Sequence, residues 1–159
     1  MRWRVRSACA MVAALACLAS GIAAAQDKPA DNMDVLREKV RADKKLVVAV
    51  TLELTEGEAK AFWPVYGAYQ SDMITHYDRV AKLIDDYAKA YATMDDATAT
   101  ELLGEFLALE TDYAALLNRY LPKFQHVLPP RKVARFYQLE NKLRAVLDYQ
   151  LARAIPLVK

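Results

Sequence analysis

The chain of 159 residues is poor in the groups most catalysis relies on. It has two cysteines and two histidines, and past residue 25 its one serine is Ser71. Both cysteines, Cys9 and Cys17, fall within the first 25 residues, so the rest of the chain has no thiol nucleophile and no means of forming a disulfide. Ser71 falls inside an expected helix without the strand-to-helix elbow that presents a nucleophilic serine. Carboxylate-bridged di-metal bundles need an acid three residues before a histidine, and those places hold Met73 before His76 and Lys123 before His126. Strand-like sequence is equally scarce: Val47, Val48 and Val50 form a cluster with no second run to pair with. These absences point to an all-α protein that is not an enzyme and carries no cofactor.

The first residues read as an export signal. Arg2, Arg4 and Arg6 precede an apolar run from Ala8 to Ala24, and Ala23-Ala24-Ala25 supplies the small residues of a cleavage site. The run is short and alanine-rich for a membrane anchor, and Ala14 stands where a lipoprotein signal ending at Cys17 would carry leucine. Residues 1–25 are therefore expected to be a signal peptide, residues 26–32 a flexible lead-in, and residues 33–159 a single periplasmic domain with no transmembrane span.

Removing the signal changes the charge argument. The full chain carries 22 basic and 20 acidic residues for a net charge of +2, but three of the bases lie in the signal, leaving 19 against 20. The basic character of the precursor thus gives no support for nucleic-acid binding. About 134 residues without a disulfide must be held together by an apolar core, and a chain of that length can form one.

Four helices account for the remainder. The first is expected from about Asn32 to Thr51, on Met33, Leu36, Val40 and the valine cluster. Thr55 and Glu58 have the spacing of a capping box and open a second helix expected to run to Met94, roughly 58 Å at ~1.5 Å per residue. Pro64 lies in its early turns, as a bend or as the true start. Tyr66, Met73, Val80, Tyr87 and Met94 recur every seven residues, interleaved with Tyr69, His76, Leu83 and Ala90, and Tyr77, Ile84 and Tyr91 widen the seam.

Asp96 is expected to cap a third helix on which Leu102, Phe106, Leu109, Tyr113, Leu116, Tyr120, Phe124 and Val127 form the apolar stripe. Leu128-Pro129-Pro130 ends it and starts a fourth, whose inward residues are Val133, Phe136, Leu139, Leu143, Val146 and Leu147, and which Pro156 closes. Asp78 with Lys82 and Asp85 with Lys89 are spaced as i,i+4 pairs on the exposed side, and Glu140 with Arg144 as a further i,i+4 pair. A short turn between two long helices makes them antiparallel neighbours, so the expected fold is an elongated four-helix protein built on a long antiparallel helical hairpin.

Three features carry function. All nine tyrosines lie beyond residue 25, mostly on inward stripes. They are core fillers, or else a semi-polar aromatic surface, with Tyr66, Tyr69, Tyr87 and Tyr91 as its contacts, that holds apolar segments of client proteins. Asp72 and His76, one turn apart, offer two ligands to a transition metal, or a buried histidine bonded to its neighbouring acid. Charge is uneven: six acids and no base lie from Asp95 to Asp112, whereas the chain from Arg119 to Arg153 holds eight bases and two acids. Arg131, Lys132 and Arg135 on that basic strip are candidates for meeting an acidic client or a dimer mate, and an ordinary solvated face is the alternative.

With a signal peptide, no structural disulfide, a long central helical pair and Leu54-Thr55-Glu56-Gly57-Glu58, the chain resembles the Spy/CpxP family of periplasmic stress proteins with their Leu-Thr-x-x-Gln motif. Glu58 replaces the glutamine, and Leu128-Pro129-Pro130-Arg131-Lys132 stands where a second copy would lie, without its threonine or glutamine. It also resembles uncharacterised secreted bacterial helical proteins, through Ala-Phe-Trp-Pro-x-Tyr at residues 61–66 and a Lys-x-Ala-Arg-Phe-Tyr-Gln-x-Glu-Asn-Lys run at residues 132–142. The first resemblance implies an ATP-independent chaperone of unfolded or envelope proteins, working as a homodimer. The alternative it implies is a periplasmic sensor or adaptor that regulates a membrane partner and responds to metal.

Overall fold

A computed structural model describes residues 42–158, and the signal peptide, the lead-in and the expected start of the first helix lie outside the described residues. The described chain is helical, with no strand. Helix α1 occupies residues 42–52, followed by α2 (Glu56–Ala90), α3 (Asp96–Val127) and α4 (Pro130–Ala154). From Lys44 onward they pack within one unit. Among the described residues no helix is long and apolar enough to cross a membrane.

Local chemistry sets the boundaries. Thr55 is the N-cap of α2, where the Glu58 amide donates to Thr55 Oγ1 at 3.3 Å and the Thr55 amide donates to Glu58 Oε2 at 2.8 Å. Both orphan donors of the first turn are thereby satisfied. Pro64 sits inside α2 rather than at its start, so the helix gives up one internal hydrogen bond there without ending. The expected extension to Met94 does not occur. The helix stops at Ala90, whose carbonyl accepts from Thr93, and Met94 belongs to the connecting turn.

Asp95, not Asp96, caps α3, taking the Thr98 amide at 2.8 Å, and the Thr98 side chain, followed by that amide, draws its carboxyl below the usual range. Pro130 opens α4 at its first turn, where a missing amide hydrogen costs nothing.

The end of α1 is held from a distance. Glu53 follows it with φ of 47°, a left-handed conformation that normally falls to glycine. Lys132 Nζ of α4 donates to the Glu53 carbonyl at 2.8 Å, and Arg135 donates to the Thr51 carbonyl at 3.3 Å. Two cations thus sit on the negative end of the helix. Lys132 also reaches Glu58 Oε2 at 2.6 Å, joining α1, the α2 capping box and α4 through one ammonium.

Packing concentrates where these corners meet. Val48 and Leu52 of α1, Phe62, Tyr66, Tyr69 and Met73 of α2, Tyr113, Leu116, Tyr120 and Phe124 of α3, and Val133 and Phe136 of α4 form one buried cluster. Its centre is aromatic: Phe124 and Phe136 lie 4.6 Å apart, Phe62 meets Phe136 edge-on at 5.7 Å, and Tyr69 meets Tyr120 edge-on at 5.3 Å. Such geometry adds about 0.5–1.5 kcal/mol per pair beyond the area buried. Along α2 and α3 the partner numbers run in opposite directions: Phe62 meets Phe124, Tyr69 meets Tyr120, Asp72 bonds Arg119 and Arg79 bonds Asp112.

Candidate functional site

The seven-residue stripe of α2 changes character at His76. Before it, Tyr66, Tyr69 and Met73 are buried; beyond it, Val80, Leu83, Ile84 and Tyr87 are only half-buried. The facing stripe of α3 does the same in reverse, with Leu109 buried but Leu103, Phe106 and Leu107 exposed. On α4, Val146 and Leu147 point to solvent, contrary to the inward placement their spacing suggested. The reason is coverage: α1 seals one end of the three long helices, and no fourth described helix seals the other.

What results is an open apolar groove of about 600 Å³. Val80, Leu83, Ile84 and Tyr87 form one wall, Leu102, Leu103 and Phe106 a second, and Leu151 and Ile155 a third. Its size is that of sites that take a small ligand or a few side chains. Glu110, Arg144 and Asp148 are the charged residues of the lining and they pair with one another. Arg144 donates to both oxygens of Glu110 at 2.7 Å and to Asp148 at 3.2 Å, and its guanidinium lies 3.9 Å from the Tyr113 ring centre. At the far end Tyr87 donates its hydroxyl to the Pro156 carbonyl at 2.7 Å, holding the residues after α4 against α2.

The tyrosines singled out from sequence divide between the two ends. Tyr66 and Tyr69 are in the aromatic core, where burial pushes both hydroxyl pKa values upward and keeps them neutral. Tyr87 lines the groove with Tyr91 beside it, ring centres 5.8 Å apart. The basic trio sits at the core end: Arg131 is exposed, while Lys132 and Arg135 make the carbonyl contacts described above. Motif residues Leu54, Thr55 and Glu58 belong to the same corner, and the Lys132 ammonium, followed by the Thr55 amide, draws the Glu58 carboxyl below its ordinary pKa.

Asp72 and His76 are not bonded to each other. Asp72 Oδ2 accepts from Arg119 at 2.8 Å and from the Tyr120 hydroxyl at 2.7 Å. His76 packs against Tyr77 and Tyr113, and its buried Nδ1 has no hydrogen-bond partner among the described residues. Burial first, then the charges of Arg144 and Arg79, lower the His76 pKa, which favours the neutral imidazole. A cleft of about 280 Å³ opens beside it, flanked by the Asp72–Arg119 and Asp112–Arg79 pairs. Among the described residues no three histidine or acidic side chains come together as metal ligands do.

One buried group escaped the sequence reading. Glu140, spaced as an i,i+4 partner for Arg144, is 4% exposed and turned inward. Its Oε2 accepts from Lys44 at 2.9 Å and from the Tyr69 hydroxyl at 3.0 Å, while Oε1 is buried without a partner. The available signal was position: Glu140 follows Val133 and Phe136 on the stripe that faces the core. Comparison with known protein families, with curated proteins and with solved structures returns no match.

Proposed function

We propose that this chain is a periplasmic, non-enzymatic binding protein that holds apolar segments of unfolded or envelope proteins without ATP, in the manner of the Spy/CpxP-like proteins it resembles. The observation that carries the reading is the groove: three helices present a continuous apolar lining that the described chain leaves open. Apolar side chains kept half in water stabilise little, so their retention is better understood as a surface for others. Nothing comparable supports catalysis. The groove's charged residues are tied in ion pairs, and the buried His76 and Glu140 lie among tyrosines rather than beside a nucleophile.

In this reading α2 and α3 form an elongated antiparallel hairpin, and two chains associate as a dimer, to be checked by small-angle scattering and sedimentation equilibrium. The test of function is suppression of aggregation of a chemically unfolded protein at substoichiometric to equimolar amounts, without ATP. Suppression is expected, and it should weaken when Leu103 and Phe106 become Ser, or Tyr87 and Tyr91 become Ser, with helicity retained. No suppression at any ratio sinks the reading.

A further inference from the structure

We propose that the segments the groove takes are apolar stretches carrying positive charge. This rests on the binding role above and names its ligand class. The argument is electrostatic and has three parts. The groove's own charged lining, two carboxylates and one guanidinium, leaves one negative charge over. The residues around it, from Asp78 to Asp112 along α2, the turn and α3 and from Lys142 to Arg153 on α4, hold ten acids and six bases. Two helix C-termini, those of α2 at Ala90 and α4 at Ala154, end beside the lining residues Tyr87 and Ile155, and each carries the negative end of a helix dipole, offset in part by Lys89 and by Arg153 in the last turns. The one N-terminus there, that of α3, has its positive end offset by Asp95 and Asp96.

Five further bases are gathered at the other end. Arg119, Lys123, Arg131, Lys132 and Arg135 lie on the halves of α3 and α4 that bury the aromatic core. An acidic client drawn to those residues would reach a sealed face. A basic, apolar segment is drawn to the open one, and electrostatic steering of this kind raises the rate of encounter. The same field disfavours a fatty acid, whose carboxylate would approach an acidic rim.

The experiment uses the purified protein and three dye-labelled peptides with one shared leucine- and phenylalanine-containing core, flanked by lysines, by glutamates or by serines. Fluorescence anisotropy at low salt should show the lysine peptide binding about tenfold or more tighter than the glutamate peptide, with the serine peptide between. Rising ionic strength should shrink that ratio as charges are screened. Glu101→Lys, a change at an exposed position next to the lining Leu102, should reduce the ratio, whereas Leu103→Ser should weaken all three peptides together.

Equal binding, or a preference for the glutamate peptide, overturns the charge inference and leaves the binding role standing. Displacement of the lysine peptide by a fatty acid at similar concentration overturns it in favour of a lipid site. Absence of binding by any peptide, together with no suppression of aggregation, removes both.

Discussion

Phe124 and Phe106 lie on the same helix, five turns apart, and have opposite fates: the first is fully buried and the second is 48% exposed. Around Phe124 four helices converge, with α1 as the lid; around Phe106 there are three, and among the described residues no fourth helix covers them. The two ends lie on the same helical stripes, the closed one mainly aromatic and the open one mainly aliphatic, and among the described residues only the first has a covering helix. An amphipathic stripe states that a helix wants a partner, and the partner can come from the chain or from outside it.

The comparison is sharpest in stability. Phe124→Ala should cost about 3–5 kcal/mol by leaving a cavity in a rigid aromatic cluster, whereas Phe106→Ala should fall within about 0.5 kcal/mol. Urea unfolding of the two variants measures it, and equal losses would mean that the open end is as well packed as the closed one.

Next in size is Glu140. Replacing it with Ala leaves Lys44 and the Tyr69 hydroxyl without their partner, at a cost of about 3 kcal/mol, while Glu140→Gln keeps the tyrosine bond and should cost less. Thermal unfolding of both variants separates loss of the hydrogen bond from loss of the charge pair.

The effect of pH comes third. Because the His76 pKa is lowered by folding, its neutral form contributes stability that is fully present above the unfolded value near 6.5 and is lost as pH falls through the folded value. The melting temperature should therefore drop on acidification from pH 7 to about 5, and His76→Gln should flatten that part of the curve. An unchanged slope would assign the acid sensitivity to other groups.

The smallest effects are expected from glycines. A Cβ at Gly67 on α2 or at Gly104 on α3 meets nothing within 4 Å, so each Gly→Ala change should stabilise by about 0.5–1 kcal/mol through helix propensity alone. Similar gains at both sites, read from melting temperature, would show that the ends differ in packing and not in the helices themselves.

Much of the fold was legible because it is set locally. The Thr55 capping box, the start of α4 at Pro130 and the stop before Pro156 depend on residues within a turn of one another. The stripe through Tyr66, Tyr69, Met73 and His76 told which face is buried, since its cover comes from elsewhere in the chain. The stripe of α4 gave the same answer for Val146 and Leu147, which no other described helix covers. Glu140 differs from that reading because an i,i+4 pairing with Arg144 satisfies both residues on paper, whereas its actual partners, Tyr69 and Lys44, lie 71 and 96 residues away. The groove was not legible at all: an opening between three helices follows from how α2, α3 and α4 are placed against one another, which no periodicity encodes.

The lid itself has a kinetic consequence. Its attachments join Glu53 to Lys132, Thr51 to Arg135 and Lys44 to Glu140, partners separated by 79, 84 and 96 positions. Contacts so distant along the chain form late, because the loop they close must first be ordered. While α2 and α3 pair up, α1 must wait for α4 with its apolar side uncovered. The last fifth of the chain therefore decides when the first described helix can dock, and a chain truncated before Lys132 would expose Val48 and Leu52 to aggregation.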